Sequence, residues 1–184
     1  MNKNYFIFLI EYKMTSIGPY TDKTNLSFMF DKVDLRGPLP QKTDIPNSLS
    51  WIISMTPNFS KFRYILRLSK LDNMFCDQQS SYTVFVPTDE ALSNIPDNVF
   101  LNMDLLTARS IIQASTIKHR ITSDVLKDSP TSFYITLNPF TRLYITNVNN
   151  QTSIDNDIDI IHYDIMANNG IIHATNGLIQ ALTF

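Results

Sequence analysis

Four glycines and one cysteine in 184 residues leave little of the chemistry that short motifs carry. Gly18, Gly37, Gly170 and Gly177 are too scattered to build a phosphate-cradling loop, and no G-x-S-x-G turn offers a nucleophilic serine. The lone Cys76 excludes an intramolecular disulfide framework and the usual Cys-rich zinc sites, and nothing around it recommends it as a nucleophile. It reads as a small packed thiol. His119, His162 and His173 do not share the spacing of ligands on one helical turn, so no metal site and no cofactor are expected.

Charge of one sign is missing too. The 15 basic and 17 acidic residues leave a net charge of -2, too weak a field to hold a phosphate backbone, so nucleic acid is excluded as a main partner. No apolar run approaches the roughly 20 residues that cross a bilayer. The longest near the start, Tyr5-Phe6-Ile7-Phe8-Leu9-Ile10, imitates a signal peptide but stops at Glu11 and Lys13 without a small-residue cleavage site. It reads as a strand, which favours an intracellular or virus-particle location over secretion. N-x-Ser/Thr triplets at Asn25, Asn58 and Asn150 matter only in a secretory pathway and are common by chance in an Asn-rich chain.

What is present suits one core: 43% of the residues are hydrophobic and 17% charged. Residues 1–44 form an N-terminal extension with β-prone stretches at Tyr5–Ile10 and Leu26–Phe30, closed by Arg36-Gly37-Pro38-Leu39-Pro40, which continues neither a helix nor a central strand. Residues 45–184 form the domain. Leu49, Ile52 and Ile53 share one side of a helix that Pro57 ends, and a second helix is expected from Asn58, with that side chain as its cap. Phe62, Ile65 and Leu66 give it an inner face. Tyr82–Val86 is a buried strand by composition, followed by Thr88 as the cap of another helix with Asp89 and Glu90 in its first turn. A helix from Asn102 or Asp104 to Thr116 buries Leu105, Ala108, Ile111 and Ile112.

After Pro130 the period falls to two. Phe133–Leu137 and Arg142–Thr146 make a hairpin, and Ile158–Ile165 and Ile171–Thr175 complete a sheet-rich half. Helices first and strands afterwards argue α+β. Asp155-Asn156-Asp157-Ile158-Asp159 sets carboxylates at alternate positions, but Ile160 stands where a calcium loop needs Gly and Met166 where it needs Glu. A solvated strand edge or turn is the reading.

Two blocks carry a family resemblance. Thr83-Val84-Phe85-Val86-Pro87-Thr88-Asp89-Glu90-Ala91-Leu92 resembles the first fasciclin (FAS1) signature and Asn169-Gly170-Ile171-Ile172-His173 the core of the second, with Ile121–Leu126 similar to the segment after the family's central helix. The match runs from about Ser48 to Leu182. The resemblance implies a β-wedge of about seven strands packed on a group of helices, no catalytic machinery, and adhesion or protein binding as the activity. Phe85, Pro87, Thr88, Ala91, Asn169, Gly170 and His173 are the structural signature. Asn169-Gly170 supplies a turn that tolerates positive φ, and a buried His173 needs a partner such as a backbone carbonyl or the Thr88 hydroxyl. Where the family carries a Tyr-His pair linked to receptor binding, this chain has Ala114-Ser115. A second family motif is partly present as Tyr163, Asp164, Ile165 and Met166, which join Tyr5, Phe6, Ile7, Phe8, Leu9 and Ile10 as candidate interaction residues.

The expected function is a non-enzymatic protein-interaction or adhesion module. The alternative is a structural assembly component, a virion or intracellular scaffold protein whose residues 1–44 grip neighbouring subunits by strand addition.

Overall fold

The computed structural model describes residues 45–149 and 151–179. Helix α1 (Leu49–Met55) buries Leu49 and Ile53 and starts at Ser48, whose hydroxyl accepts from the Trp51 N–H at 3.2 Å. A 3₁₀ turn, Pro57–Phe59, separates it from α2 (Ser60–Ser69), which buries Phe62, Ile65 and Leu66 at the helical spacing read from the sequence. The expected start of this helix at Asn58 is corrected, and so is its cap. Asp89, from beyond the next strand, accepts from the Ser60 N–H at 3.2 Å, the Ser60 hydroxyl at 2.6 Å and the Lys61 N–H at 2.8 Å. A carboxylate at that positive helix end satisfies donors that Asn58 does not reach, because Asn58 lies within the 3₁₀ turn.

Helix α3 (Asp72–Cys76) buries Phe75, and β1 (Tyr82–Pro87) is buried along its whole length. Thr88 Oγ1 accepts from the Ala91 N–H at 3.2 Å, yet the residues that follow form turns, not the expected helix. Short α4 (Asp97–Leu101) buries Phe100, and α5 (Leu105–Ala114) starts at Asp104, whose carboxylate accepts from the Thr107 N–H at 2.7 Å. Then come β2 (Thr116–Ile117), α6 (Ser123–Lys127), β3 (Thr131–Ile135), β4 (Arg142–Val148), β5 (Gln151–Ile154), β6 (Ile158–Ala167) and β7 (Gly170–Thr175).

The strands form one sheet in the order β2-β1-β7-β6-β5-β4-β3. Only β1 and β7 run parallel, with Tyr82 opposite Gly170 and Pro87 opposite Thr175. Both are buried throughout, which is why each reads as a continuous apolar run instead of an alternation. At the far ends the sheet curls back on itself: Ile117 bridges Thr136, and the Leu137 N–H reaches the Thr116 carbonyl at 2.8 Å. Inside this curl Phe85, Ile117, Ile121, Leu126, Leu143, Ile145, Ile154 and Ile160 pack as one core, with Tyr134 and Tyr163 against it. The α+β wedge of seven strands and helices expected from the sequence is the fold observed.

Candidate interaction surface

The two signature blocks lie side by side as β1 and β7, and their polar groups are consumed by the fold. Asn169 is buried at the turn entering β7. Its Oδ1 accepts from the Leu49 N–H at 2.9 Å, and its Nδ2 donates to the carbonyls of Phe75 at 2.8 Å and Asp77 at 3.0 Å, so one side chain ties α1, α3 and β7 together. The turn does not need positive φ, since Asn169 is absent from the left-handed residues. Gly170 is required by space instead: a Cβ there would lie 2.3 Å from the Tyr82 carbonyl oxygen and 2.7 Å from Leu49 Cδ1. Thr83 stitches β1 to the segment after β2, donating to the His119 carbonyl at 2.6 Å and accepting from the Ile121 N–H at 2.9 Å.

His173 is wholly buried between the rings of Phe85, stacked with centroids 5.6 Å apart, and Tyr163, edge-on at 6.0 Å. Its partner is not Thr88. The chain between β2 and α6 passes over the imidazole, so Nε2–H donates to the Ile121 carbonyl at 2.9 Å while Nδ1 accepts from the Asp164 N–H at 3.3 Å. This pair of bonds requires the neutral ring protonated on Nε2. Asp164 sits in a left-handed conformation, φ 56°, where β6 shifts register against β7, and its carboxylate accepts from the Ser123 N–H at 2.9 Å and from the Ser123 hydroxyl.

Burial pushes the His173 pKa down, against the Ile121 carbonyl and the Asp164 charge, which pull it up without reversing the shift. The unfolded chain takes up this proton near pH 6.5 while the folded chain resists it, so the stabilisation is full above about pH 6.5 and is lost as pH falls through the folded value. Burial raises Asp164, but the Ser123 hydrogen bonds and the charges of His173 and Lys127 outweigh it and leave the carboxyl below its usual range. Its contribution is lost only at lower pH. Wild-type protein should therefore lose urea resistance between about pH 7 and pH 5. His173→Gln should be less stable at the upper end yet nearly flat across that window; an equal slope in both proteins would remove His173 as the cause.

Two of the three carboxylates after β5 are likewise committed. Asp155 accepts from the Tyr144 N–H at 2.9 Å, and Asp159 accepts from the Ser153 hydroxyl at 2.7 Å and from Asn176 Nδ2 at 3.1 Å. Among the described residues no group of three His, Cys, Asp or Glu side chains is placed to hold a metal ion, and no helix is long and apolar enough to cross a membrane.

Of the sequence-derived interaction residues, Tyr5–Ile10 lie outside the described residues. Tyr163 is half-buried over His173 with the Lys127 ammonium 4.1 Å from its ring centroid, Asp164 is held by Ser123, and Ile165 is half-buried, which leaves Met166 as the exposed large side chain of that group. Ala114 and Ser115 are fully buried, so no surface position corresponds to the family's Tyr-His pair.

The prominent exposed feature lies elsewhere. The hairpin β3–β4 alternates: Tyr134, Leu143 and Ile145 face the core, and the other face is left to solvent. Phe133 is 62% exposed, Ile135 62%, Phe140 73%, Tyr144 50% and Val148 64%. Phe133 stands opposite Tyr144 in the register, with ring centroids 6.4 Å apart, and Ile135 stands opposite Arg142. The sequence reading found the hairpin and missed this face. The signal was present in Phe133-Tyr134-Ile135, where a strand with one wet face should have carried a polar residue on each side of Tyr134.

This fold, a curled mixed sheet backed by short helices with the two signature strands paired inside it, defines a class of domain. The Fasciclin domain model matches residues 57–181, and the chain belongs to the fasciclin family. Transforming growth factor-beta-induced protein ig-h3 of Oryctolagus cuniculus is 27% identical over 106 residues, 56% of this chain and 15% of that protein. A solved FAS1 domain pair from the insect cell adhesion molecule Fasciclin I shares the fold, with a TM-score of 0.63 and 18% identity over 73% of this chain and 51% of the other. The chain thus spans a small part of the curated relative and about half of the solved pair.

Proposed function

We propose that this chain is a non-enzymatic protein-interaction module of the adhesion type that binds through the outer face of β3–β4. The observation that carries this reading is the set of four large apolar side chains on that face, Phe133, Ile135, Tyr144 and Val148, left in solvent, with exposed Phe140 at the connecting turn. Apolar patches of that kind mark contact sites on soluble domains. The signature polar groups, Asn169 and His173, support it from the other side, because their hydrogen bonds are spent on backbone groups and leave nothing aimed at a substrate. Membership in a family of adhesion and interaction domains agrees.

Placing a photo-crosslinking residue at Phe140 of the full chain in native material tests the proposal. Protein adducts should form there and disappear when Phe133 and Tyr144 are both replaced by Lys. Adducts unaffected by those replacements, or none at all, would reject this face as the binding surface. The assembly reading, in which residues 1–44 grip neighbouring subunits in a virion or scaffold, concerns a segment outside the described residues. Deleting residues 1–44 should abolish assembly if it holds.

A further inference from the structure

We infer that Ile121–Leu126 is an acid-released strap: a proton on His173 turns the Asp164 carboxylate away from Ser123, and the strap lifts from the core. The strap lays Ile121 and Leu126 in that core and includes most of α6. Its two ends are fastened by groups that do not titrate in mild acid. Arg120 Nη2 donates to the Ala167 and Asn168 carbonyls at 2.9 and 3.1 Å, and Asn147 Nδ2 donates to the Leu126 and Ser129 carbonyls at 2.7 and 2.6 Å. Between these fixed ends the ties lead to one titratable pair, with Thr83 Oγ1 as the remaining bond at the Ile121 N–H. His173 holds the Ile121 carbonyl, and the Asp164 carboxylate holds the Ser123 N–H and hydroxyl. Thr122 makes no side-chain bond to the first turn of α6, so Asp164 is the cap of that helix.

The pair has a second arrangement open to it. A proton from water enters at Nδ1, the nitrogen that carries the lone pair, and there it confronts the Asp164 N–H across 3.3 Å, so two donors face each other and their bond is lost. The new Nδ1–H needs an acceptor. The anion whose charge acts on His173 is the Asp164 carboxylate, attached to a left-handed residue where β6 shifts register, outside a regular ladder and able to turn. Turning to the imidazolium leaves Ser123 without its cap. The other groups around the ring offer no competing anion: β6 brings Tyr163, α6 brings Lys127 over the Tyr163 ring, β1 brings Phe85 with Tyr82 set against Phe75, and β7 has no other ionisable residue. Asp124 of α6 is exposed. Asp164 stays ionised while His173 titrates, because the Ser123 bonds keep its carboxyl below the usual range. Burial opposes the imidazolium only while the strap is closed, so acid favours the open arrangement.

Amide hydrogen exchange on the full chain at about pH 7 and about pH 5.5, read as protection factors and repeated in low urea, tests the strap. Ser123 and Leu126 amides should lose up to about tenfold in protection per pH unit, the slope of one proton, and should exchange with little dependence on urea. The Phe85 and Ser115 amides, bonded to the Ser115 and Ile111 carbonyls, should stay far better protected and follow urea steeply, since they exchange only when the whole domain unfolds. His173→Gln should make strap protection indifferent to pH, whereas exposed His162→Gln should leave the response intact. Asp164→Asn suits the left-handed backbone, keeps an acceptor for Ser123 and carries no charge, so it should move both the response and the imidazole nitrogen shifts to lower pH. Strap amides that exchange only together with Phe85 overturn the inference. So does strap protection that holds while His173 takes up its proton, or a response that His173→Gln or Asp164→Asn leaves where it was.

Discussion

Asn169→Ala is expected to cost about 2–6 kcal/mol, because it strands the buried Leu49 N–H and Phe75 carbonyl, each at about 1–3 kcal/mol, and also gives up the bond to the more exposed Asp77 carbonyl. A domain holds only about 5–15 kcal/mol in total. The variant should therefore unfold at a much lower urea concentration than wild type, with α1 and α3 loosened first, and hydrogen exchange at Leu49 should report that loosening. Asn169→Asp is the sharper control. It keeps an acceptor for Leu49, but turns a carboxylate towards two carbonyl oxygens, so it should be no better than Ala. A loss below about 1 kcal/mol for Asn169→Ala would mean that water replaces the side chain without cost.

Gly170→Ala is the second large effect, and its cause is space. The added methyl would meet the Tyr82 carbonyl oxygen at 2.3 Å and Leu49 Cδ1 at 2.7 Å. A leucine rotates away; a backbone carbonyl in the parallel β1–β7 pair does not. Overpacking against such a neighbour costs about 3 kcal/mol or more. Pairing it with Leu49→Ala isolates the cause. Trimming Leu49 should fail to rescue Gly170→Ala, since the backbone clash remains, and a rescued urea midpoint would shift the blame to the side chain.

These two positions also mark how far the sequence could be read. The fold was legible because its signals are local or paired. Phe62, Ile65 and Leu66 fall on one helix face, and Phe85 and His173 stand in blocks that the family resemblance brings together in register. The start of α2 was not legible, because its cap comes from Asp89, distant in sequence and brought near only by the turn after β1. Asn58 offered the right chemistry in the wrong geometry. Of the two partners expected for His173, the backbone carbonyl is the one found and the Thr88 hydroxyl is not; which carbonyl was not legible, because Ile121 belongs to a connecting segment with no pattern of its own. Gly170 was read as conformational freedom, when its need is set by two other elements crossing close to it. The exposed face of β3–β4 was invisible for a different reason. Apolar residues on both sides of a strand signal burial, and only the sheet order shows that nothing among the described residues covers one side.

The parallel pairing of β1 with β7 has a consequence for biosynthesis. β1 is the first buried strand of the sheet to leave the ribosome, yet the neighbour that shields it, β7, is made after every other strand of the sheet. Until then Val84, Phe85 and Val86 have no lasting cover on that side, so the nascent chain carries a sticky strand until the other five strands of the sheet have been made. Chaperone binding to arrested chains should fall sharply once β7 emerges, a timing imposed by topology and indifferent to what the finished domain binds.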